Sequence, residues 1–214
     1  MKFLKIALMA LCLASANIFA QEIGFGAHAA FEYGFLWGLD EDWDDGAGED
    51  NPSGIGFLVG VQGRYEVTPF LHLTPEINFR YSKLGQETDF YEVNFTQMDL
   101  QIPLLARGIV AKRFFAMLGP QLNFSVSNKV TLDGETIPGN VVNITYSLDE
   151  EIDQSVFGLG MTLGVGAYVI DRLSVDFRLY MGFLELYPDA DDRLMDLSGA
   201  RLMTMNFGVG YWFL

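Results

Sequence analysis

From Ile23 to Trp37 every odd-numbered residue is apolar: Ile23, Phe25, Ala27, Ala29, Phe31, Tyr33, Phe35 and Trp37. Gly24, Gly26, His28, Ala30, Glu32, Gly34 and Leu36 alternate with them. A period of two is the signature of a β-strand with two different faces. The same alternation returns seven more times. The second run sets Ile55, Phe57, Val59, Val61, Tyr65 and Val67 against Gln62, Arg64 and Glu66. The third sets Leu73, Ile77, Phe79 and Tyr81 against His72, Glu76, Asn78 and Arg80. The fourth sets Met98, Leu100, Ile102 and Leu104 against Asp99, Gln101 and Arg107. The fifth sets Phe114, Ala116, Leu118, Leu122, Phe124 and Val126 against Gln121, Asn123, Ser125 and Ser127. Further runs cover 157–169, 173–183 and 203–213, where Asp176, Arg178 and Asn206 fall on the polar face.

The sixth run, Val156 to Ile170, contains Gly160-x-x-x-Gly164, the spacing of a membrane-helix dimer motif. It is too short to cross a bilayer as a helix. Its glycines all occupy even positions, which a strand gathers on one face and a helix would scatter.

The connectors alternate in length. Three are short: Thr68-Pro69-Phe70, Gly108 to Lys112, and Asp171-Arg172. Four are longer, at about 39–53, 84–94, 128–155 and 185–200. The fold this predicts is all-β: an eight-stranded antiparallel up-and-down transmembrane β-barrel, with short periplasmic turns and long external loops. A soluble barrel would put the apolar face inside, but eight strands leave room only for a packed core. Several dozen large side chains do not fit there. The apolar face therefore belongs against lipid, and the small and polar residues belong inside. Two aromatic belts are expected: Tyr33, Phe35, Trp37, Phe79 and Tyr81 at the outer level, and Tyr65, Phe114, Tyr211 and Phe213 at the periplasmic level.

The chain begins with Lys2 and Lys5, an apolar run from Ile6 to Leu13, and small residues up to Ala20. These are the parts of a secretory signal peptide over 1–20, with cleavage after Ala20 or, alternatively, after Ala16. Residues 21–214 then form the barrel domain. Cleavage removes Cys12, the only cysteine, and takes the net charge of −15 to −17. Leu11 is too bulky for Cys12 to read as a lipid-attachment site. So acidic a chain is not a nucleic-acid binder.

Three stretches carry a family likeness: Leu73-Thr-Pro-Glu-Ile-Asn-Phe79, Leu100-Gln-Ile-Pro-Leu-Leu-Ala-Arg107 and Met117-Leu-Gly-Pro-Gln-Leu-Asn123. They resemble the small outer-membrane β-barrel domain family, the PorT-like group, over essentially the whole mature chain. The ending Phe207 to Leu214 resembles the C-terminal strand signal read by the barrel assembly machinery, with Phe213 second from last rather than last. The resemblance implies a bacterial outer-membrane address and no single shared activity.

Within the lumen the parity gathers five acids, Glu32, Glu66, Glu76, Asp99 and Asp176, and four bases, Arg64, Arg80, Arg107 and Arg178. Such a set reads either as a selectivity filter or as a salt-bridged plug. The narrowness of eight strands favours the plug, with Arg178 or Arg64 paired to a carboxylate. The long connectors hold 21 of the 28 acids. Asp40, Asp42, Asp44 and Asp45 begin like a calcium loop, but Gly46 comes one place late and no Glu closes the set. They predict weak cation contact on a solvated acidic surface, and no specific metal. In segment 128–155 the alternation of Val142, Ile144, Tyr146 and Leu148, with Pro138-Gly139, leaves two readings. One is a protruding hairpin able to offer an edge to a surface partner; the other is a loop with residual β structure. Asn94-x-Thr96 and Asn143-x-Thr145 are read as chance.

The mature chain offers no Cys nucleophile. His28 and His72 face inward, and neither has a serine close by in sequence. Neither an enzyme nor a cofactor is predicted. The expected role is structural or surface interaction by a monomer in contact with outer-membrane lipid. A narrow passive channel for small solutes is the alternative, and a lipid-modifying enzyme comes third.

Overall fold

The computed structural model describes residues 23–38, 52–87, 91–111, 113–137, 140–147, 157–186 and 199–213. The signal segment 1–20, Asp40, Asp42, Asp44 and Asp45 of the first connector, and Pro138-Gly139 lie outside the described residues. The strands are β1 (Ile23–Trp37), β2 (Ser53–Thr68), β3 (Leu71–Glu87), β4 (Tyr91–Val110), β5 (Phe114–Ile137), β6 (Asn140–Ser147), β7 (Phe157–Ile170), β8 (Leu173–Gly182) and β9 (Arg201–Trp212).

Eight of these form the barrel. Each pairs antiparallel with its neighbours in the order β4-β3-β2-β1-β9-β8-β7-β5, and a β4–β5 pairing closes the sheet on itself. Closure leaves no unpaired strand edge for hydrocarbon to face. β6 stands outside the barrel and, among the described residues, pairs with β5 alone, from Lys129↔Ser147 to Ile137↔Asn140. Segment 128–155 thus carries a hairpin, the first of the two readings its alternation allowed.

Two connectors are shorter than the periodicity suggests. The one expected over 84–94 is mostly strand, because β3 and β4 stay paired out to Glu87↔Glu92. β4 and β5 stay paired out to Tyr91↔Gly134. The polar residues there break the hydrophobic alternation but not the ladder, whose hydrogen bonds need only backbone. A spanning strand needs about 9–11 residues, and β5 has 24. At ~3.3 Å per residue and a tilt of roughly 40°, one side of the barrel therefore projects well beyond the membrane as a sheet of β3, β4, β5 and β6.

Facing obeys parity. In β3 the odd residues from Leu71 to Phe79 are exposed and the even ones from His72 to Arg80 buried, without exception. Phe25, Phe31, Phe57, Val61, Ile77, Val165 and Phe207 stand on the exterior. The interior holds Glu32, Glu76, Asn78, Arg80 and Arg178. One residue departs from the predicted facing. A bulge sets Met98 opposite Ser127 but Asp99 opposite Ser125. The extra residue, Val126, flips the facing of Ser127 and Asn128 beyond it. Ser127 therefore does not face the lumen, and Asn128 is the buried residue instead.

The aromatic residues expected in belts all stand on the outward face, with Phe114, Phe213, Tyr33, Phe79 and Tyr211 exposed. Tyr65 lies opposite Ile23 at the short-turn end, and Tyr81 lies beside Phe57 with ring centroids 5.5 Å apart. Tyr33 and Phe35 form one pair at 6.5 Å, and Tyr211 and Phe213 another at 5.5 Å. Trp37 is only partly exposed, because the Arg201 guanidinium lies 5.5 Å above its ring. Aromatic residues are not confined to belts. Phe57, Phe31, Phe207 and Phe177 stand directly opposite one another across β2, β1, β9 and β8, forming a row around the lipid-facing wall.

Candidate functional site

The lumen is where acidic and basic side chains meet. β3 carries Arg80, whose neighbours across the ladders are Leu58 on β2 and Asp99 on β4. The Arg80 Nε donates to Glu32 Oε1 of β1 at 2.5 Å. Its Nη1 donates to Asp99 Oδ2 at 2.5 Å and to Gln97 Oε1 at 3.1 Å. One guanidinium thus ties β3 to β1 and β4, and its side chain and that of Glu32 are fully shielded from solvent.

Arg178 of β8 makes a second cluster. Its Nη1 donates to Glu76 Oε2 of β3 at 2.7 Å, which crosses the lumen, since β3 and β8 are not sheet neighbours. Its Nε donates to Asp176 Oδ1 at 2.6 Å. Its Nη2 lies 3.0 Å from His28 Nε2, and that ring nitrogen is 3.4 Å from Asp176 Oδ2. Asn78 Nδ2 adds a 3.1 Å bond to Glu76 Oε2. Both clusters hold two carboxylates for one guanidinium. Charge-assisted bonds of this length are the strong ones, and a low dielectric strengthens them further.

Glycines make room for these side chains. A Cβ on Gly164 would stand 3.2 Å from Arg178 Cγ, and one on Gly208 would stand 2.4 Å from His28 Nε2. The glycine face of β7 and β9 exists because large groups from elsewhere lie across it.

At the short-turn end Arg64 Nε is 3.6 Å from Glu66 Oε1, and His72 Nε2 is also 3.6 Å from that oxygen. Arg107 stands apart from every carboxylate ion pair among the described residues, and packs on the rings of Phe115 and Trp212 instead. The structure therefore brings eight of the nine expected lumen charges together in three groups and leaves the ninth, Arg107, outside all of them.

The periodicity did not reveal how much apolar matter the lumen also holds. Twenty polar and twelve apolar residues are buried among the described residues, so the interior is mixed. Leu84 faces Phe95, and Leu36 faces Leu202, near the long-loop end. Leu105, Phe115 and Met117 cluster near the short turns. Leu36 already stands in the inward set of the first alternation, and extending the parity of the other strands to their ends places the rest. An inward apolar residue interrupts the alternation of polar and apolar positions, so it carries no periodic signal of its own. Tyr180, also buried, lies where Gly160 leaves space for its ring.

Polar residues inside, apolar residues outside and a closed ladder form the arrangement of an outer-membrane barrel. A family model described as outer membrane protein beta-barrel domain matches residues 19–187. The chain belongs to this family. The family places it in the bacterial outer membrane, crossing with strands. No curated protein matches it significantly in sequence. Among solved structures, Neisserial surface protein A is similar at 13% identity and a TM-score of 0.54, covering 87% of this chain and 96% of that one. The attachment invasion locus protein Ail of Yersinia pestis is 13% identical, covering 90% and 99%, with a TM-score of 0.48. OprG from Pseudomonas aeruginosa is 11% identical, covering 90% and 97%, with a TM-score of 0.43. At 13% identity the likeness to Neisserial surface protein A is one of fold.

Proposed function

We propose that this protein is a closed structural barrel of the outer membrane whose projecting sheet meets a partner outside the cell. The lumen is read as a plug. What carries this reading is the Arg178–Glu76 bond, which ties opposite walls of the barrel, together with the Arg80 bridge above it. Two further facts support it. The inward recess at the long-loop end, lined by Gln97, Asp99, Asn123 and Tyr180, measures about 40 Å³. That is room for about three waters. Apolar residues also stand above and below the charges.

The surface role rests on β6. Among the described residues it has one neighbour, β5, and its other edge suits strand addition. The long connectors carry 21 of the 28 acids, which favours a partner with a basic face. Planar-bilayer recording tests the plug. Purified protein is expected to give no steady conductance. Stable unitary steps would instead establish the narrow channel for small solutes.

A further inference from the structure

Four arginines face the lumen, and three have carboxylate partners. Arg107 is the exception. The residue is 1% exposed, and its Nε, Nη1 and Nη2 all lack a hydrogen-bond acceptor among the described residues. Its guanidinium carbon lies 4.3 Å from the centre of the Phe115 ring and 5.6 Å from that of Trp212. The rings stabilise a cation through their faces, but they offer no acceptor in the guanidinium plane. A buried charge left this way is costly.

Its surroundings repeat the shortage. The Tyr168 hydroxyl and the Trp212 indole nitrogen are buried donors without acceptors among the described residues. Tyr168 stacks 5.2 Å from Phe115, the ring that Arg107 covers. Arg64 sits 5.1 Å from the Trp212 ring and brings a second positive charge. Glu66 is engaged by Arg64 and His72, and Glu76, which feels Arg107 at longer range, is bonded by Arg178 and Asn78. The short-turn end of the lumen thus holds a surplus of donors and of positive charge, while the clusters above it have a surplus of carboxylates.

We propose that this periplasmic floor of the barrel is a binding site for a small oxyanion of the phosphate class, with Arg107 as its principal ligand and Arg64 as the second. A planar guanidinium presents two parallel N–H groups to two oxygens of such an ion. Arg64 and Glu66, with side chains 18% and 30% accessible, mark the way in from the periplasm. Trp212 closes the floor, its ring lying against Gly26, where an added Cβ would meet it at 3.1 Å. The anion displaces the indole to reach Arg107. Trp212 is therefore both gate and reporter.

The test uses the refolded full barrel in zwitterionic lipid vesicles, in a W37F/W43F background that leaves Trp212 as the single indole. Inorganic phosphate is titrated against chloride at constant ionic strength, and equilibrium dialysis counts bound phosphate. A saturable change in Trp212 emission with one phosphate per barrel is expected. R107Q is expected to weaken binding by about tenfold or more, and R64Q by less. R113Q, an exposed residue in a turn at the same end, is expected to leave it unchanged. R107K keeps the charge without the fork and tests the site if R107Q fails to refold; a several-fold weakening is expected. Absence of saturable phosphate binding in the wild type would overturn the proposal. So would affinity in R107Q or R107K equal to that of the wild type, or loss in R113Q as large as in R107Q.

Discussion

Replacing Arg178 by Met tests whether the lumen is dry. Met fills much of the arginine stem volume but supplies no donor. The exchange strips Glu76 of its 2.7 Å bond and Asp176 of its 2.6 Å bond. Both carboxylates and the guanidinium are at most 5% accessible. Asn78 still donates to Glu76, and His28 still lies 3.4 Å from Asp176, so the acids are not wholly abandoned. Removing one member of a buried pair costs about 3–5 kcal/mol. Two stranded acids argue for the upper part of that range, and the surviving Asn78 and His28 contacts for the lower, so a loss of about 4 kcal/mol is expected. The decisive companion is the triple variant Arg178→Met, Glu76→Gln, Asp176→Asn, which removes the charges together. It is expected to recover all but about 1–2 kcal/mol, since a neutral set needs no counter-ion. Reversible urea unfolding from lipid vesicles, followed by tryptophan emission, measures both. A loss below about 1 kcal/mol in the single variant, with no recovery in the triple, would mean that water solvates these acids. The plug reading would then be wrong.

Leu159→Arg, on the outward face of β7, is expected to cost roughly 2–4 kcal/mol in the same assay, and an unchanged midpoint would contradict the assigned facing. Gly160→Leu drives a side chain against the Met181 carbonyl oxygen and into the Tyr180 ring, which lies 2.5 Å from the position of an added Cβ; a loss of more than about 2 kcal/mol is expected, and Gly160→Leu/Tyr180→Ala is expected to regain only the part due to the ring, since the Met181 backbone stays in place. Replacing 130–147 by a short turn removes β6 and the outer end of β5, which pairs with Tyr91–Phe95 of β4 beyond the lipid-crossing strands; barrel stability is expected to change by less than about 2 kcal/mol, while any surface binding by the sheet is lost. Collapse of the barrel in that deletion would show that the hairpin is part of its structural core.

The barrel, its facing and its address were all legible in the order of residues along the chain. A strand's side chains alternate by geometry, so Ile23 to Trp37 or Leu71 to Tyr81 could be assigned to lipid or lumen without knowing their neighbours. The same rule gathered Glu32, Glu76, Asp99, Asp176, Arg80 and Arg178 inside. Parity places residues on a face but does not say at what height or opposite which partner. That depends on stagger between strands and on bulges, which are set by the whole closed ladder. It took the closed ladder to show that Arg178 reaches across to Glu76, that Arg80 bridges β1 and β4, and that Ser127 yields its lumen position to Asn128. The same stagger brings Arg107 against two aromatic rings and no carboxylate. The extension of β3 to β6 beyond the membrane was faint in sequence for a related reason: above the lipid neither face of a sheet must be apolar, and the alternation that marks a strand fades while its backbone pairing persists.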